Sequence, residues 1–243
     1  MILFILFICS LCLAEDSNVV KEWKNVRGVG VHIVTINVNA DDVGVELGRA
    51  CGGDYQGGRF REESFHSMMR RESPLVAIVG TYFDTVSRRP IGSIVLGGTL
   101  ICDGLSHSSF EVSKDGSVSI SHHPSGTMGR SLSWDGVVVG VGSSPSLVID
   151  GEVDVAPRGF HSCGVTAPAR RAAIGVTRLG KVLFVVVPSE ISLWKLGWIM
   201  SDVGAVDAMN LDGGSSTALW FDGRMVVSPG RRLTHFLMVP SRP

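Results

Sequence analysis

Short runs of β-branched and small apolar residues, broken repeatedly by glycine, extend from residue 29 to residue 239. Branched side chains pack well on a pleated surface, and glycine takes up the backbone conformations that tight turns need. A chain built this way folds into sheets. Residues 29–38 (VGVHIVTINV) read as a strand and 43–47 as another. Residues 75–79 (LVAIV) form a buried-strand candidate running into Gly80-Thr81-Tyr82-Phe83-Asp84. Residues 91–101 read as a hairpin around Gly97-Gly98, and 110–112 with 118–120 as a second around Asp115-Gly116. Further strands are expected over 136–142, over 146–155 with a turn at Asp150-Gly151, and as a pair over 172–187 around Gly180-Lys181. Residues 48–61 and 156–170 read as loops.

Helices are few. Residues 62–71 suit a short one that stops before Pro74. The clearest covers 190–203, with Ser189 as its cap and Gly204 as its stop. Leu193, Leu196, Met200 and Val203 lie near one face, and Ile191, Trp194 and Trp198 make the adjoining side apolar, so its aromatics are expected in the core. No repeat of fixed period and no long linker interrupts the pattern. The expected architecture is α+β: a single strand-rich domain over residues 15–243, with mixed sheets and a few packed helices. With 243 residues, 44% of them hydrophobic, it can bury a substantial core. A net charge of -1 with scattered Arg and Lys argues against a nucleic-acid partner, which calls for a basic excess or stripe.

Residues 1–14 (MILFILFICSLCLA) are apolar throughout and precede Glu15-Asp16. The run is shorter than the ~20 residues a membrane-spanning helix needs. With Ala14 before the acidic pair it reads as a signal peptide, although no Lys or Arg precedes the apolar core. A retained hydrophobic anchor is the alternative. The reading places the protein outside the cytoplasm, secreted or in the cell envelope (periplasmic), with no stable membrane span after processing. Cys51, Cys102 and Cys163 then remain, enough for at most one disulfide, and no C-x-x-C pair suggests structural zinc.

The densest polar run is Asn210-Leu211-Asp212-Gly213-Gly214-Ser215-Ser216-Thr217, at the end of the apolar stretch 205–211 (AVDAMNL). On a strand, side chains two apart share a face, so Asn210 and Asp212 are expected to project together where the strand runs out. Gly213-Gly214 either turns the backbone tightly or lets a ligand approach without Cβ interference. A plain hairpin corner is the alternative, with Asp212 accepting turn hydrogen bonds. Other constellations are weaker. His122-His123-Pro124 is expected in a turn, and the remaining histidines are scattered, which disfavours zinc. Calcium held by Asp212 and loop carbonyls is the metal option left open. There is no G-x-S-x-G elbow, and the glycine runs near 28–30 and 140–142 lack the helix of a dinucleotide site.

The order of helix, AVDAMNLDGGSST, then a strand with Asp222-Gly223 resembles the phosphodiester glycosidase family. Four more blocks fall in that family's order. Gly80-Thr81-Tyr82-Phe83-Asp84, with Pro90 and Gly92, is similar to its N-G-x-F-F element. Ser144-Pro145-Ser146-Leu147-Val148 with Gly151 is similar to G-P-x-L. Arg171-Ala172-Ala173-Ile174-Gly175, then Gly180-Lys181, is similar to R-T-A-I-G. The stretch from Arg231-Arg232 to Val239 is similar to its closing strand. The blocks cover residues 75–239. Val79 stands where the family often has Asn, and Ser215 where a third Gly is frequent.

The resemblance implies hydrolysis of a sugar 1-phosphodiester at its glycosidic bond, on a sugar-phosphate or glycan substrate. Such a reaction needs a cation fork on the phosphate and a carboxylate near the anomeric carbon. Arg171 suits the first, since guanidinium binds phosphate oxygens bidentately. Asp212 suits the second, as nucleophile or as base for water, with Asn210 holding sugar hydroxyls or orienting it. Gly213, Gly214, Ser215 and Ser216 are expected on the phosphate side. Thr81 and Asp84 are candidates from the other strand end. The competing reading is a non-catalytic envelope protein that binds glycan or an anionic polymer. A third is a phosphodiesterase that cuts the phosphorus–oxygen bond.

Overall fold

The computed structural model describes residues 18–40, 43–155 and 166–241, so the expected signal segment and Cys163 lie outside the described residues. Seventeen strands among those residues form three sheets. The first runs in the order β1 (Val19–Val26), β2 (Val29–Ile36), β13 (Val182–Ile191), β12 (Ala169–Thr177), β14 (Ala205–Asn210), β10 (Ser146–Ile149) and β11 (Glu152–Val153). The second runs β16 (Arg224–Val227), β15 (Leu219–Phe221), β4 (Pro74–Val79), β17 (His235–Pro240) and β3 (Glu46–Arg49). The third runs β6 (Thr99–Cys102), β5 (Ile94–Leu96), β9 (Val137–Ser143), β7 (Leu105–Ser113) and β8 (Val118–Met128). The described elements also include two α-helices, α1 (Phe65–Glu72) and α2 (Leu193–Asp202), and short 3-10 turns at Gly129–Ser131 and Gly214–Ser216.

The molecule is thus mostly β, and the α+β expectation holds only loosely. Mixed sheets were expected, but every ladder among the described strands is antiparallel. The turns explain this. Arg27-Gly28, Gly97-Gly98 and Gly180 reverse the chain at left-handed backbone positions, whereas a parallel pair needs a crossover of a dozen or more residues.

The seven-stranded sheet is buried on both faces around β13. Phe184 and Val186 point into a large core shared with the second and third sheets. Leu183, Val185 and Val187 point the other way, into a smaller core under α2. Alternate residues thus serve different cores, which is why VLFVVV reads as an unbroken apolar run. β1 escaped the sequence pattern because it is an edge strand with Lys21, Glu22 and Lys24 in its middle.

Two expectations about the second helix change. It begins at Leu193 with Ser192 as its cap, the Ser192 Oγ accepting the Lys195 N–H at 3.2 Å, because Ser189 and Glu190 still belong to β13. Trp194 and Trp198 are 53% and 46% exposed rather than core. Leu193, Leu196, Ile199 and Met200 take the buried face instead. Gly197 lets that face press close, since a Cβ there would lie 3.1 Å from the Leu147 carbonyl oxygen. The Arg27 guanidinium stacks 5.0 Å over Trp198 while pairing with Asp202. His122 and His123 also differ from expectation, lying within β8 and not in a turn. His122 Nε2 meets Asp207 Oδ1 at 2.9 Å. Cys51 is exposed, Cys102 is buried, and both are free thiols.

Candidate active site

β14 ends where the three sheets meet. Its last residue, Asn210, pairs with Ala173 of β12 and donates its N–H to the Pro145 carbonyl at 3.1 Å. Leu211 N–H then reaches Ala172 O at 2.9 Å, and Asp212 N–H reaches Gly80 O at 3.0 Å. Gly80 follows β4, so within two residues the chain passes from the first sheet to the second. From the third sheet, Ser143 at the end of β9 meets Thr81, their hydroxyls 3.1 Å apart. Strand ends converge here, and strand ends are where side chains escape the ladder.

Continuing the β12–β14 register places Arg171 across from Asp212 and Arg170 across from Gly213. Gly213 is required: a Cβ there would fall 2.8 Å from the Arg170 carbonyl oxygen. Gly214 follows at φ 58, a left-handed position that opens a short 3-10 turn over Gly214–Ser216.

Asp212 is only 4% exposed. Its Oδ1 accepts the Gly213 N–H at 2.9 Å and its Oδ2 accepts Nη2 of Arg231 at 3.0 Å. Arg231 Nε donates to Ser216 Oγ at 2.6 Å, and the guanidinium stacks 4.6 Å over Phe83. Burial pushes the Asp212 carboxyl above the ordinary aspartate range, and the Ser216 hydroxyl and Arg231 pull against it. Both Asp212 oxygens therefore face N–H donors.

Asn210 is fully buried. Its Nδ2 donates to Leu211 O at 2.7 Å and Ser144 O at 3.3 Å, and it meets the Tyr82 hydroxyl. Its Oδ1 has no hydrogen-bond partner among the described residues. Burial holds the Tyr82 phenol well above its ordinary pKa, the Asp212 charge adds to the effect, and Arg171 opposes it. Tyr82 is therefore a neutral hydroxyl at any working pH. Arg171 is 2% exposed and donates Nε to Ile191 O at 3.2 Å and Nη2 to Ala167 O at 2.5 Å. Burial lowers its pKa from the usual guanidinium value.

The structure thus brings together Asn210, Asp212, Gly213, Gly214, Ser216 and Arg171. Thr81 adjoins them, buried, with its N–H on His235 Nε2 at 3.0 Å. Ser215 is exposed, its carbonyl accepting the Gly230 N–H at 2.7 Å. Asp84 stands apart: it is exposed, and its Oδ1 closes a turn by accepting the N–H groups of Val86 and Ser87. Val79 is buried in the large core. Two members were missed from sequence. Tyr82 is one of only two tyrosines, and it sat unremarked inside a run read for its glycine and aspartate. Arg231 was read only as the lead-in to a strand, although two arginines directly after Pro229-Gly230 mark a turn that can aim a cation.

His235 gives the site a pH-dependent floor. It accepts the Thr81 N–H at Nε2, so Nδ1 carries the proton donated to Thr234 Oγ1 at 2.7 Å. Full burial lowers its pKa to about 4. The unfolded chain takes up this proton near pH ~6.5, the folded protein only near 4. Stability from this residue is therefore complete above pH ~6.5 and drains away as pH falls towards 4, by about 3 kcal/mol. Urea unfolding across that range should show the slope. His235→Gln, which keeps an acceptor but cannot titrate, should flatten it, and an unchanged slope in that variant would refute the assignment.

The family model for phosphodiester glycosidases matches residues 73–239. The chain belongs to the phosphodiester glycosidase family. No curated protein matches it by sequence. Among solved structures it is similar to the zebrafish N-acetylglucosamine-1-phosphodiester alpha-N-acetylglucosaminidase catalytic domain auto-inhibited by pro-peptide, at TM-score 0.71 and 21% identity over 93% of this chain and 83% of that one. A hypothetical protein from Synechocystis matches at TM-score 0.71 and 17% identity, over 91% of this chain and 61% of that one. A candidate exported protein from Burkholderia pseudomallei matches at TM-score 0.62 and 15% identity, over 91% and 74%. At these identities the structural likeness speaks for the fold. Among the described residues no helix is long and apolar enough to cross a membrane, and no three His, Cys, Asp or Glu side chains converge as a metal cluster would require.

Proposed function

We propose that this protein hydrolyses a sugar 1-phosphodiester at the bond between the anomeric carbon and oxygen. The observation that carries the reading is the Asp212–Arg231 pair at 3.0 Å, set across a strand pair from Arg171 in a family that cleaves such bonds. The leaving group is a phosphomonoester whose second pKa is ~6, so it departs near neutrality without a strong general acid. That relieves the site of the second carboxylate that ordinary glycosidases need.

Asp212 acts at the anomeric carbon, as nucleophile or as base for water. Arg231 opposes the burial that raises the Asp212 carboxyl, and it offers the phosphate a cation. Its side chain is 32% exposed, against 5% for its partner, so it is the more accessible of the two. Arg171 reinforces the positive field from the neighbouring strand. Asn210 and the neutral Tyr82 hydroxyl hold sugar hydroxyls, while the Gly213-Gly214 turn and Ser215 and Ser216 lie along the phosphate. The leader-like segment and the likeness to a candidate exported protein support action in the envelope or outside the cell.

The test is turnover of a chromogenic sugar 1-phosphodiester in 18O-labelled water. We expect free sugar carrying the label and an unlabelled phosphomonoester. Label in the phosphate would mean cleavage at phosphorus. Binding without release of sugar would mean a glycan- or polymer-binding protein.

A further inference from the structure

Arg231 holds Asp212 and Ser216, and it also lines an open cavity of about 350 Å³ between the start of α1 and the 225–232 segment. Among the described residues Arg231 Nη1 has no hydrogen-bond partner, so this guanidinium edge is uncommitted. Arg232 lines the same cavity, is exposed, and makes one hydrogen bond, from Nη2 to Glu62 O at 3.3 Å. The lining includes two guanidinium groups and no carboxylate, which favours an anion. Phe65, Met225 and Pro229 add apolar lining. Two cations beside apolar side chains suit a phosphate carrying an apolar group.

We propose that this cavity is the subsite for the leaving half of the diester. The phosphate rests on Arg231 and Arg232, and an apolar aglycone lies against Met225 and Pro229. The proposal rests on the reading of Asp212 as the group acting at the sugar, and it fixes the polarity of the bound substrate. The sugar lies on the Asp212 side of Arg231 and the aglycone on the α1 side. Substrates with apolar aglycones are then preferred over those with a bare methyl.

Two measurements test it. The first compares kcat/KM for phenyl and methyl diesters of one sugar phosphate. Ser228→Trp, at an exposed position on the cavity wall, should fill the cavity and cut the phenyl-to-methyl preference about tenfold or more, within the range that apolar pocket contacts supply. Met225→Glu should do the same by replacing the apolar contact with a hydrated carboxylate, and its like charge beside the phosphate should also lower kcat/KM for both diesters. If the wild-type protein cleaves both diesters and neither variant moves the preference, the subsite is wrong and the hydrolase reading survives. The second is calorimetric binding of phenyl phosphate to the wild type and Arg232→Ala, with melting curves as the control for folding. Weakening of about tenfold in Arg232→Ala supports the cavity even if no diester is turned over, in which case it is the reading of Asp212 that falls. No binding by folded wild-type protein overturns the proposal.

Discussion

Asp212→Asn should retain the fold and lose cleavage of sugar phosphodiesters by roughly 10³-fold, the scale of removing a group that transfers a proton or attacks in the transition state. The fold survives because the substitution keeps the shape and an oxygen for the Gly213 N–H, at 2.9 Å in the native site. What it removes is a charge that is costly to bury. The orphaned cation is Arg231, a third exposed and able to rehydrate. The pH profile adds a second reading of the same residue. Because burial raises the Asp212 carboxyl, the acid limb of kcat/KM should lie above the ordinary aspartate value of ~3.9. Activity should fall as pH drops through it. Arg231→Ala removes the cation that opposes the shift, so the limb should move to still higher pH. Full turnover by folded Asp212→Asn would take this carboxylate out of the chemistry, and an acid limb that ignores Arg231→Ala would separate the pair functionally.

Much of this is legible in the sequence itself. Period and turn chemistry located most strands, because glycine and Asp-Gly mark reversals that only a few backbone conformations can make. The spacing of Asn210, Asp212 and Gly213 likewise announced a strand end, since a carboxylate and an amide at alternate positions have no place inside an apolar ladder. The limits are equally physical. β1 hid because an edge strand shows its charges, and the start of α2 slipped because two serines three apart can both cap a helix while only packing decides where β13 stops. Trp194 and Trp198 were misread because an apolar side chain signals a buried face only when something covers that face. Arg231 was invisible as the partner of Asp212 for a different reason. The contact joins residues brought together by the β15–β16 hairpin, and local sequence carries no record of such closure.

Gly92→Ala should be among the most damaging single methyls at the described glycines, and it lies outside the catalytic cluster. A Cβ on Gly92 would stand 1.8 Å from the carbonyl oxygen of Gly142 and 2.6 Å from its carbonyl carbon. Both atoms are backbone, so no rotamer change can relieve the clash. The partner segment is itself pinned, since Gly142 N–H donates to Ser93 O at 2.7 Å and a Cβ on Gly142 would strike Ser106 Oγ at 1.8 Å. Gly104 closes the stack from a third side, where a Cβ would lie 2.2 Å from the Ile91 carbonyl oxygen and 2.4 Å from the Gly92 carbonyl carbon. Three stretches of main chain thus touch through glycine alone. Overpacking usually costs 1–3 kcal/mol, and where backbone must move the upper end applies, so we expect a loss of ~3 kcal/mol or more. That is a large share of the ~5–15 kcal/mol that holds a typical domain together. The injury should reach the site as well, because Ile91 N–H binds the Tyr82 carbonyl at 2.8 Å and the 140–143 strand end carries the Ser143 hydroxyl that meets Thr81. Gly44→Ala is the matched control, since nothing lies within 4 Å of its would-be Cβ and its backbone is not left-handed. Urea unfolding should therefore leave Gly44→Ala within about 0.5 kcal/mol of the parent while Gly92→Ala is strongly destabilised or insoluble. Equal midpoints for the two variants would show that the glycine stack yields more easily than its geometry requires.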